Sequence, residues 1–563
     1  MLNKTGTLTA LFAIASSFVG SVYAISKITR SGRYLYEEGG TRFYIKGIAY
    51  QEQGTVVAST DNAFGEPSTF IDPLSSGAAC SRDLPYLQQL GVNTIRVYSV
   101  NSSLNHDACM KTFSDAGIYT IIDLALPSNG SIDRTSPSWS TNILDQYLRT
   151  IDVFDQYDNI LAYNVGNEVV IANGTAVAPY VKAAARDIKA YLQSKSSSAL
   201  VGYSSIDGDT SFRLPLANFF SCDPSGDNSG ATAIDIYGLN EYAWCGNSTF
   251  EASYANIEAD YSGYNVVAYF SEFGCITGGP RLWTETQALF SSEMSDVWSG
   301  GIAFSYFPAT SVQGQFGMVN ISSDGSSVTT GDDFARLKTE YGQISPPNSP
   351  SQSSATTTYP ACPTTNDTFA ASSTLPPTPN EDACNCLYRS LDCQFTPATS
   401  NYTAVVGELI NTACSLLGSS GGSCDDIGGS GANGTYGRLS GCDPTIKLSY
   451  VMSEYYERNN KDAQACSFSG NGTVNSGASN AVATSAATSC VSNPSATFVP
   501  SSPATLAGSN GGSSSSSTGR SGSSGSSGSG SNGAVEFVAD RNVVFGVFGA
   551  VAIGVVSGVW TLL

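Results

Sequence analysis

Histidine is almost missing from this chain: its 563 residues include only His106. A single imidazole excludes HExxH zinc sites and leaves no basis for histidine triads or histidine proton shuttles. No other metal-ligand spacing occurs in the sequence. Any acid–base chemistry must therefore come from carboxylates, tyrosine, lysine or cysteine, and we expect neither a metal nor a cofactor.

Basic residues are also scarce, with 26 Lys and Arg against 47 Asp and Glu and a formal charge of -21. Nucleic-acid binding needs stripes of Lys and Arg to meet the phosphates, so this class of partner is excluded. The same balance argues against a polybasic contact with anionic lipid. A neutral polymer such as a polysaccharide is compatible with it.

The first 24 residues read as a secretory signal peptide. Lys4 supplies the positive start, Leu8–Val19 is mostly apolar, and small residues end at Ala24. The apolar run is short for a membrane anchor, so we expect cleavage and secretion.

The C-terminus carries a second targeting pattern. Small residues surround Asn532 and Gly533, a mixed spacer follows, and Val543–Leu563 has no charge. This order is typical of a GPI signal, with attachment at Asn532 and removal of residues 533–563. An ordinary transmembrane helix is the alternative, but no positive residues follow the apolar stretch. We expect the protein on the outer face of the plasma membrane, with the cell wall as a second location.

Secretion makes the 14 cysteines candidates for disulfides. Residues 25–345 contain five cysteines, which is an odd number, and Cys362 makes the number even. This indicates a disulfide between Cys362 and that region. The other eight run from Cys384 to Cys490, and their pairing stays open. The N-glycosylation candidates are Asn101, Asn129, Asn173, Asn247, Asn320, Asn366, Asn401, Asn433 and Asn471.

Residues 25–345 alternate between strand-like and helix-like segments. The predicted strands are Phe43–Gln51, Thr94–Val100, Tyr119–Ala125, Ile160–Glu168, Leu200–Ile206, Ile234–Tyr242, Val266–Gly274 and Gly300–Phe307. Their nearly continuous apolar character is typical of parallel strands buried on both faces. Eight such strands with helical crossovers predict an α/β fold, a (β/α)8 TIM barrel. A doubly wound open sheet is the alternative, but no GxGxxG or Walker-type loop favours it.

Three further segments follow the barrel. Residues 346–380 are rich in Pro, Ser and Thr and read as a linker. Residues 381–468 are dense in cysteine, which predicts a small disulfide-rich module. Residues 469–532 are mostly Ser, Gly, Ala and Asn and read as a disordered stalk.

Two glutamates fall near predicted strand ends. Glu168 ends the fourth strand, after Asn167, and Glu272 lies near the end of the seventh. Strand C-termini of a barrel face the active-site mouth, where paired carboxylates can cleave a glycosidic bond. Glu168 should then carry a proton at working pH, whereas Glu272 should stay ionised. Other acids near strand ends keep a structural interpretation open, namely Glu52, Asp123 and Glu241.

Several motifs together resemble one family. They are the segment from Gly47 to Gln51, NTIRVYSV at 93–100, NVGNE at 164–168, YGLNEYAWCG at 237–246 and SEFGC at 271–275. They resemble glycoside hydrolase family 72, the fungal Gas/Gel/Phr-type β-1,3-glucanosyltransferases with a C-terminal Cys-box, carbohydrate-binding module family 43, and a GPI signal. The resemblance covers nearly the whole chain.

The resemblance implies that Glu168 is the acid/base and Glu272 the nucleophile. It implies sugar contacts at Gln51, Tyr98, Asp123, Asn167, Tyr242 and Tyr306. It also implies the bridges Cys80–Cys109, Cys222–Cys362 and Cys245–Cys275. The resemblance further implies a mostly helical Cys-box domain for the Cys-rich module. This module either binds carbohydrate or only supports the barrel.

The expected function is a retaining β-1,3-glucanosyltransferase that cleaves internal linkages and joins the new end to the non-reducing end of another chain. The sequence does not show how well the site binds an acceptor or how far it excludes water. The expectation of transfer rather than hydrolysis therefore rests on the family resemblance. The partners are β-1,3-glucan donor and acceptor chains and the membrane through a GPI lipid, and we expect a monomer. The alternatives are a hydrolytic β-1,3-glucanase and a non-catalytic, GPI-anchored glucan-binding or adhesion protein.

Overall fold

The computed structural model of the chain describes residues 25–55, 67–127, 130–399, 402–478 and 481–503. Several predictions fall outside these ranges: the signal peptide, the sequons at Asn129 and Asn401, the stalk beyond residue 503, and the GPI signal with Asn532. No helix within the described ranges combines the length and apolar character that a membrane crossing needs.

A small antiparallel sheet precedes the barrel. Its strands are β1 (Thr29–Ser31), β2 (Tyr34–Tyr36) and β3 (Arg42–Phe43). Leu35 and Phe43 from this sheet belong to the same buried cluster as Ile45, Ile121 and Ile302 of the barrel strands. The N-terminal segment therefore adds its apolar side chains to the barrel interior.

Eight parallel strands close into the predicted barrel. They are β4 (Ile45–Ala49), β5 (Thr94–Val97), β6 (Tyr119–Asp123), β7 (Ile160–Asn167), β8 (Leu200–Ile206), β9 (Ile236–Glu241), β10 (Val267–Phe273) and β11 (Trp298–Ala303). Neighbours in sequence are neighbours in the sheet, and β11 pairs with β4 to close it. Nearly every strand residue is buried, as expected for a sheet with the interior on one side and helices on the other.

Helices follow the strands. In the barrel region they are α1 (Gly77–Leu90), α2 (Asp107–Asp115), α3 (Thr141–Phe154), α4 (Ala178–Ser194), α5 (Thr210–Ser221), α6 (Phe250–Ser253), α7 (Ala255–Tyr261), α8 (Glu285–Leu289) and α9 (Asp332–Tyr341). The α1 helix shows how the sequence sets their limits. Ser76 caps its start by accepting a hydrogen bond from Ala79 N–H, and Gly91 ends it in the left-handed conformation, with φ 64°.

Four short strands form two hairpins near the end of the barrel region. They are β12 (Thr310–Ser311), β13 (Gly314–Gln315), β14 (Val319–Ile321) and β15 (Val328–Thr330). The segment predicted as a linker then packs along the barrel. Cys362 is bonded to Cys222, the Tyr359 hydroxyl accepts a hydrogen bond from Arg30 Nη1 at 3.3 Å, and Phe369 is fully buried. The other two bridges implied by the family resemblance, Cys80–Cys109 and Cys245–Cys275, are also present.

The Cys-rich module has its own core. Its elements are α10 (Glu381–Ser390), β16 (Cys393–Phe395), α11 (Thr403–Ser419), β17 (Gly429–Ser430), β18 (Thr435–Tyr436), α12 (Pro444–Arg458), β19 (Gly472–Val474) and α13 (Ala483–Cys490). Its bridges are Cys384–Cys442, Cys386–Cys490, Cys393–Cys466 and Cys414–Cys424.

The predicted start of the stalk at residue 469 is wrong. The β19 strand pairs with β16, and α13 buries Ala483 and Ala487 in the core of the module. The sequence did not predict this helix because its composition is rich in Ala and Ser. Alanine can pack closely in a small core, but it gives only a weak apolar pattern in the sequence. The Cys386–Cys490 bridge fixes the helix to α10.

The module contacts the barrel around the start of α3. Thr141 N–H donates to Gly441 O at 2.9 Å, and Lys447 Nζ donates to Ser138 Oγ at 2.9 Å. On α4, Asp187 accepts hydrogen bonds from Trp139 Nε1 and from Thr378 Oγ1, each at 2.8 Å. The first two bonds connect the module to α3 and to the loop before it, and the Thr378 bond connects the segment before the module to α4.

Candidate active site

Both predicted glutamates lie at the carboxyl ends of barrel strands. Glu272 belongs to β10, and Glu168 follows the last residue of β7. The strand ladder is irregular at both positions: the β7–β8 register shifts between Asn164 and Asn167, and the β9–β10 register shifts between Phe270 and Glu272. Such bulges change the direction of a side chain at a strand end and are common beside active sites.

The Glu272 carboxylate receives three hydrogen bonds. Arg96 Nη1 and the Tyr98 hydroxyl donate to Oε1 at 3.2 and 2.9 Å, and the Tyr242 hydroxyl donates to Oε2 at 2.8 Å. The side chain is 10% exposed. Burial raises the pKa of Glu272 above its usual value, while Arg96 and the two phenols act in the opposite direction. These donors favour the ionised form, although burial prevails in the net shift.

Arg96 is the cation at the centre of the site, and it is fully buried. Its guanidinium pairs with Asp123 at 2.7 Å and Glu272 at 3.2 Å, and it donates to Asn167 Oδ1 at 2.8 Å. It also lies 4.2 Å from the centre of the Tyr98 ring. A buried guanidinium with several fixed acceptors is a rigid hub, so Arg96 sets the positions of the residues around it.

Glu168 is held by its backbone as well as by its carboxyl. Its φ of 51° is unusual for a residue with a side chain. Its N–H donates to Ser204 O at 2.8 Å, and its carbonyl accepts from Arg134 Nη2 at 2.8 Å. Asn240 Nδ2 donates to Glu168 Oε1 at 2.7 Å. Strain of this kind is kept where the surroundings fix it, and it is frequent at functional sites.

Asn240 connects the two glutamates. Its Nδ2 reaches Glu168, and its Oδ1 accepts from Ser271 Oγ at 2.7 Å and from Arg96 Nη1 at 3.5 Å. Arg96 in turn contacts Glu272. After burial, both carboxylates contribute to raising the pKa of Tyr242 well above its usual value, so both act on the same phenol. The two acids therefore share one polar network at the barrel mouth.

The structure brings most of the other predicted residues to this network. Tyr98, Tyr242 and Asn167 contact it directly and are partly exposed. Gln51 Oε1 accepts from the N–H groups of Tyr98 and Ser99 at 3.1 and 3.0 Å, so Gln51 fixes the backbone beside the site. All of these side chains lie at the C-terminal end of the barrel, where a ligand would enter.

Two predicted contacts lie deeper than expected. Asp123 is 2% exposed, and its oxygens bond to Arg96 and Asn164. Tyr306 is fully buried and donates to Asp83 Oδ1 at 3.1 Å. The eighth strand ends at Ala303 rather than Phe307, so strand alternation does not fix the direction of Tyr306.

Sequence reasoning did not single out Arg96, Asn240 or Phe304. A signal for Arg96 was present, because a charged residue inside the buried Thr94–Val97 strand must have buried partners. Phe304 lies beside the site, with its ring centre 6.2 Å from that of Tyr98 and 5.3 Å from that of Phe316. Within the described residues, no group of three or more His, Cys, Asp or Glu side chains is arranged to hold a metal ion.

Two family models match the sequence. The model described as Glucanosyltransferase matches residues 17–345, and the model of the X8 domain matches residues 391–473. Among curated proteins, 1,3-beta-glucanosyltransferase gas1 of Schizosaccharomyces pombe is 40% identical over 497 residues, covering 86% of each chain. The 1,3-beta-glucanosyltransferase GAS2 of Saccharomyces cerevisiae is 36% identical over 436 residues, covering 75% of each.

The fold also matches a solved structure. A mutant of Saccharomyces cerevisiae Gas2p in complex with laminaritetraose and laminaripentaose superposes with a TM-score of 0.71 at 33% sequence identity. The match covers 83% of this chain and 98% of the Gas2p chain. The same barrel and Cys-rich module are therefore present in a protein that holds oligosaccharides in its crystals.

Proposed function

Because the chain belongs to the glucanosyltransferase family, glycoside hydrolase family 72, we propose that it cuts β-1,3-glucan and joins one fragment to another glucan chain, with Glu168 as acid/base and Glu272 as nucleophile. The observation that carries the residue roles is the set of donors around Glu272. A guanidinium and two phenols donate to its carboxylate, and these contacts stabilise the negative charge that a nucleophile needs. Glu168 accepts from Asn240 Nδ2 at the same barrel mouth and is the acid that transfers the proton.

The first step breaks a glycosidic bond. The Glu272 carboxylate attacks the anomeric carbon, and Glu168 gives its proton to the departing oxygen, so the reducing-end fragment leaves. The new bond joins the sugar carbon to a Glu272 oxygen. In retaining enzymes the two carboxyl groups lie about 5–5.5 Å apart, which leaves no room for a water between them.

The second step forms the new linkage. Glu168, now ionised, takes the proton of an acceptor hydroxyl, whose oxygen attacks the same carbon. Glu272 then leaves as a carboxylate, and Arg96, Tyr98 and Tyr242 stabilise the charge that returns to it. The Asn167 Oδ1 accepts from Arg96 and Asn240, so its Nδ2 is left to donate to the sugar hydroxyl beside the reacting carbon.

The cell-surface setting and the domain limits belong to the same proposal. The mature enzyme is a secreted monomer with a catalytic barrel at 25–345, a Cys-rich module that continues to Cys490, and a GPI lipid at Asn532. A glycosylated, disulfide-bonded chain suits this location, because both modifications form in the secretory pathway. Release by a phosphatidylinositol-specific phospholipase tests the anchor.

The activity is tested by feeding the purified protein reduced laminarioligosaccharides and separating the products by size. We expect products longer than the substrate together with shorter reducing-end fragments. Shorter products alone would indicate a hydrolytic glucanase. Bound but unchanged oligosaccharide would indicate an adhesion protein and would contradict the proposal.

Replacing Arg96 tests its role as the hub of the site. The Arg96→Met protein should lose stability by about 3–5 kcal/mol, because Asp123 and Glu272 would lose their buried cation. Its kcat should fall by about a hundredfold or more, because Glu272 leaves more slowly without that charge. Chemical denaturation and transfer assays measure both effects.

The matched control is Arg149→Met. Arg149 pairs with Asp145 at 3.7 Å and is 35% exposed, so its loss should change stability by less than about 1 kcal/mol and leave kcat within about twofold. An Arg96→Met protein with the kcat of the wild type would refute the role given to the guanidinium.

A further inference from the structure

A third acid lies between two residues of the catalytic network. Glu241 is 1% exposed and stands between Asn240, which bonds to Glu168, and Tyr242, which bonds to Glu272. Successive strand side chains point to opposite faces, so Glu241 lies on the face of β9 opposite to Asn240. It therefore cannot touch the substrate, but it can fix the strand end that carries both neighbours.

One oxygen of Glu241 has a donor and the other does not. Oε1 accepts from Ala243 N–H at 2.5 Å. Oε2 is shielded from solvent and has no hydrogen-bond donor among the described residues. The β8–β9 register pairs Ile206 with Asn240, so the residues that follow them, Asp207 and Glu241, are neighbours at the ends of the two strands. Their carboxyls interact electrostatically. Two carboxylate oxygens repel each other unless one carries a proton, and then they form a strong hydrogen bond.

The surrounding charges require such a proton. Arg213 on α5 pairs with Asp207 at 3.2 Å and with Asp260 on α7 at 2.6 Å. One guanidinium thus faces three acids. The phenols beside these acids are neutral and add no positive charge; they belong to Tyr237, Tyr254 and Tyr261. Asp207 keeps 28% exposure, so water can stabilise its negative charge, whereas Glu241 is closed off. The proton therefore belongs on Glu241.

We infer that Glu241 is a neutral carboxylic acid that donates its Oε2 proton to Asp207, and that this bond positions Asn240 and Tyr242 for catalysis. Burial and the Asp207 charge raise the pKa of Glu241 well above its usual value, in agreement with this state. Glu241 is a positioning residue in this account, and the catalytic part rests on the proposed function of Glu168 and Glu272.

The test compares the wild type with Glu241→Gln in the full secreted protein. Glutamine has nearly the same shape, its amide can donate to Asp207, and its oxygen can accept from Ala243. A group with a raised pKa contributes stability that is complete at acid pH and is lost as the pH rises through the folded-state pKa. Glutamine does not titrate, so the melting temperature of the variant should exceed that of the wild type by about 2–4 °C near pH 9 and equal it near pH 4.

The second readout is the ratio of kcat values, variant over wild type. It should be near one at about pH 5 and rise about threefold or more by about pH 9, because ionised Glu241 releases Asn240 and Tyr242 only in the wild type. The titration of Glu168 is common to both proteins and cancels. The control is Glu251→Gln on the exposed face of α6, for which both comparisons should stay flat.

Each other outcome contradicts the inference. A flat melting-temperature difference would mean that Glu241 does not hold the proton. If the difference in melting temperature grew with pH while the kcat ratio stayed constant, the Glu241–Asp207 pair would stabilise the fold without positioning the catalytic residues. A Glu241→Gln protein that does not fold would also contradict it, since a neutral amide should replace a neutral acid. If the wild type did not transfer glucan, the proposed function would be wrong. The comparison of melting temperatures would still test whether Glu241 is protonated.

Discussion

The Glu272→Gln protein is expected to fold as the wild type does and to transfer glucan at least about ten-thousandfold more slowly. An amide cannot attack the anomeric carbon, so no glycosyl-enzyme forms and neither step proceeds. The surrounding donors remain satisfied in part, because the glutamine oxygen can still accept from Arg96 and Tyr98. The measurement is the rate of formation of longer laminarioligosaccharides, with the melting temperature recorded in parallel.

The matched control for this substitution is Glu52→Gln. Glu52 is another glutamate beside a barrel strand end, and burial raises its pKa. Among the described residues, the charges that act on it are those of Arg82 and Asp83 rather than that of Arg96. Its replacement should leave kcat within about threefold. Transfer by the Glu272→Gln protein at a substantial fraction of the wild-type rate would refute the assignment of the nucleophile.

The Glu168→Gln protein should show a different defect. With ordinary glucan its kcat should fall by about a thousandfold, because glutamine cannot protonate the departing oxygen. A laminarioligosyl fluoride needs no proton to leave, so the first step should remain fast with that donor. The second step should then be slow, and the glycosyl-enzyme should accumulate.

Azide separates the two steps of this variant. As a small anion that needs no base, it should attack the accumulated intermediate and restore turnover, giving a β-linked glycosyl azide. The product configuration is read by NMR. Failure of azide to rescue Glu168→Gln, together with rescue of Glu272→Gln to the same β product, would exchange the two roles.

Much of the fold could be predicted from sequence because buried parallel strands have a clear pattern. All eight barrel strands occur at the predicted places, and helices lie between them as the predicted crossovers require. The position of Glu168 and Glu272 followed from the same pattern, since strand ends of a barrel meet at one face.

The side-chain network could not be predicted in the same way. Which residues contact one another at a barrel mouth depends on bulges and on where strands end, and neither has a strong sequence signal. The prediction that the eighth strand continues to Phe307 was wrong, because the strand ends at Ala303. The direction of the Tyr306 side chain therefore could not be predicted either. The roles of Arg96 and Asn240 arise from distances between five strands, which local sequence does not encode.

The most direct test of the account is to trap the covalent intermediate. A 2-deoxy-2-fluoro laminarioligosyl fluoride slows both steps, but its good leaving group keeps the first one faster, so the wild-type enzyme should become labelled. After proteolysis, mass spectrometry should find the sugar on the peptide that contains Glu272. A label on another residue, or an unlabelled enzyme that still transfers glucan, would contradict the account.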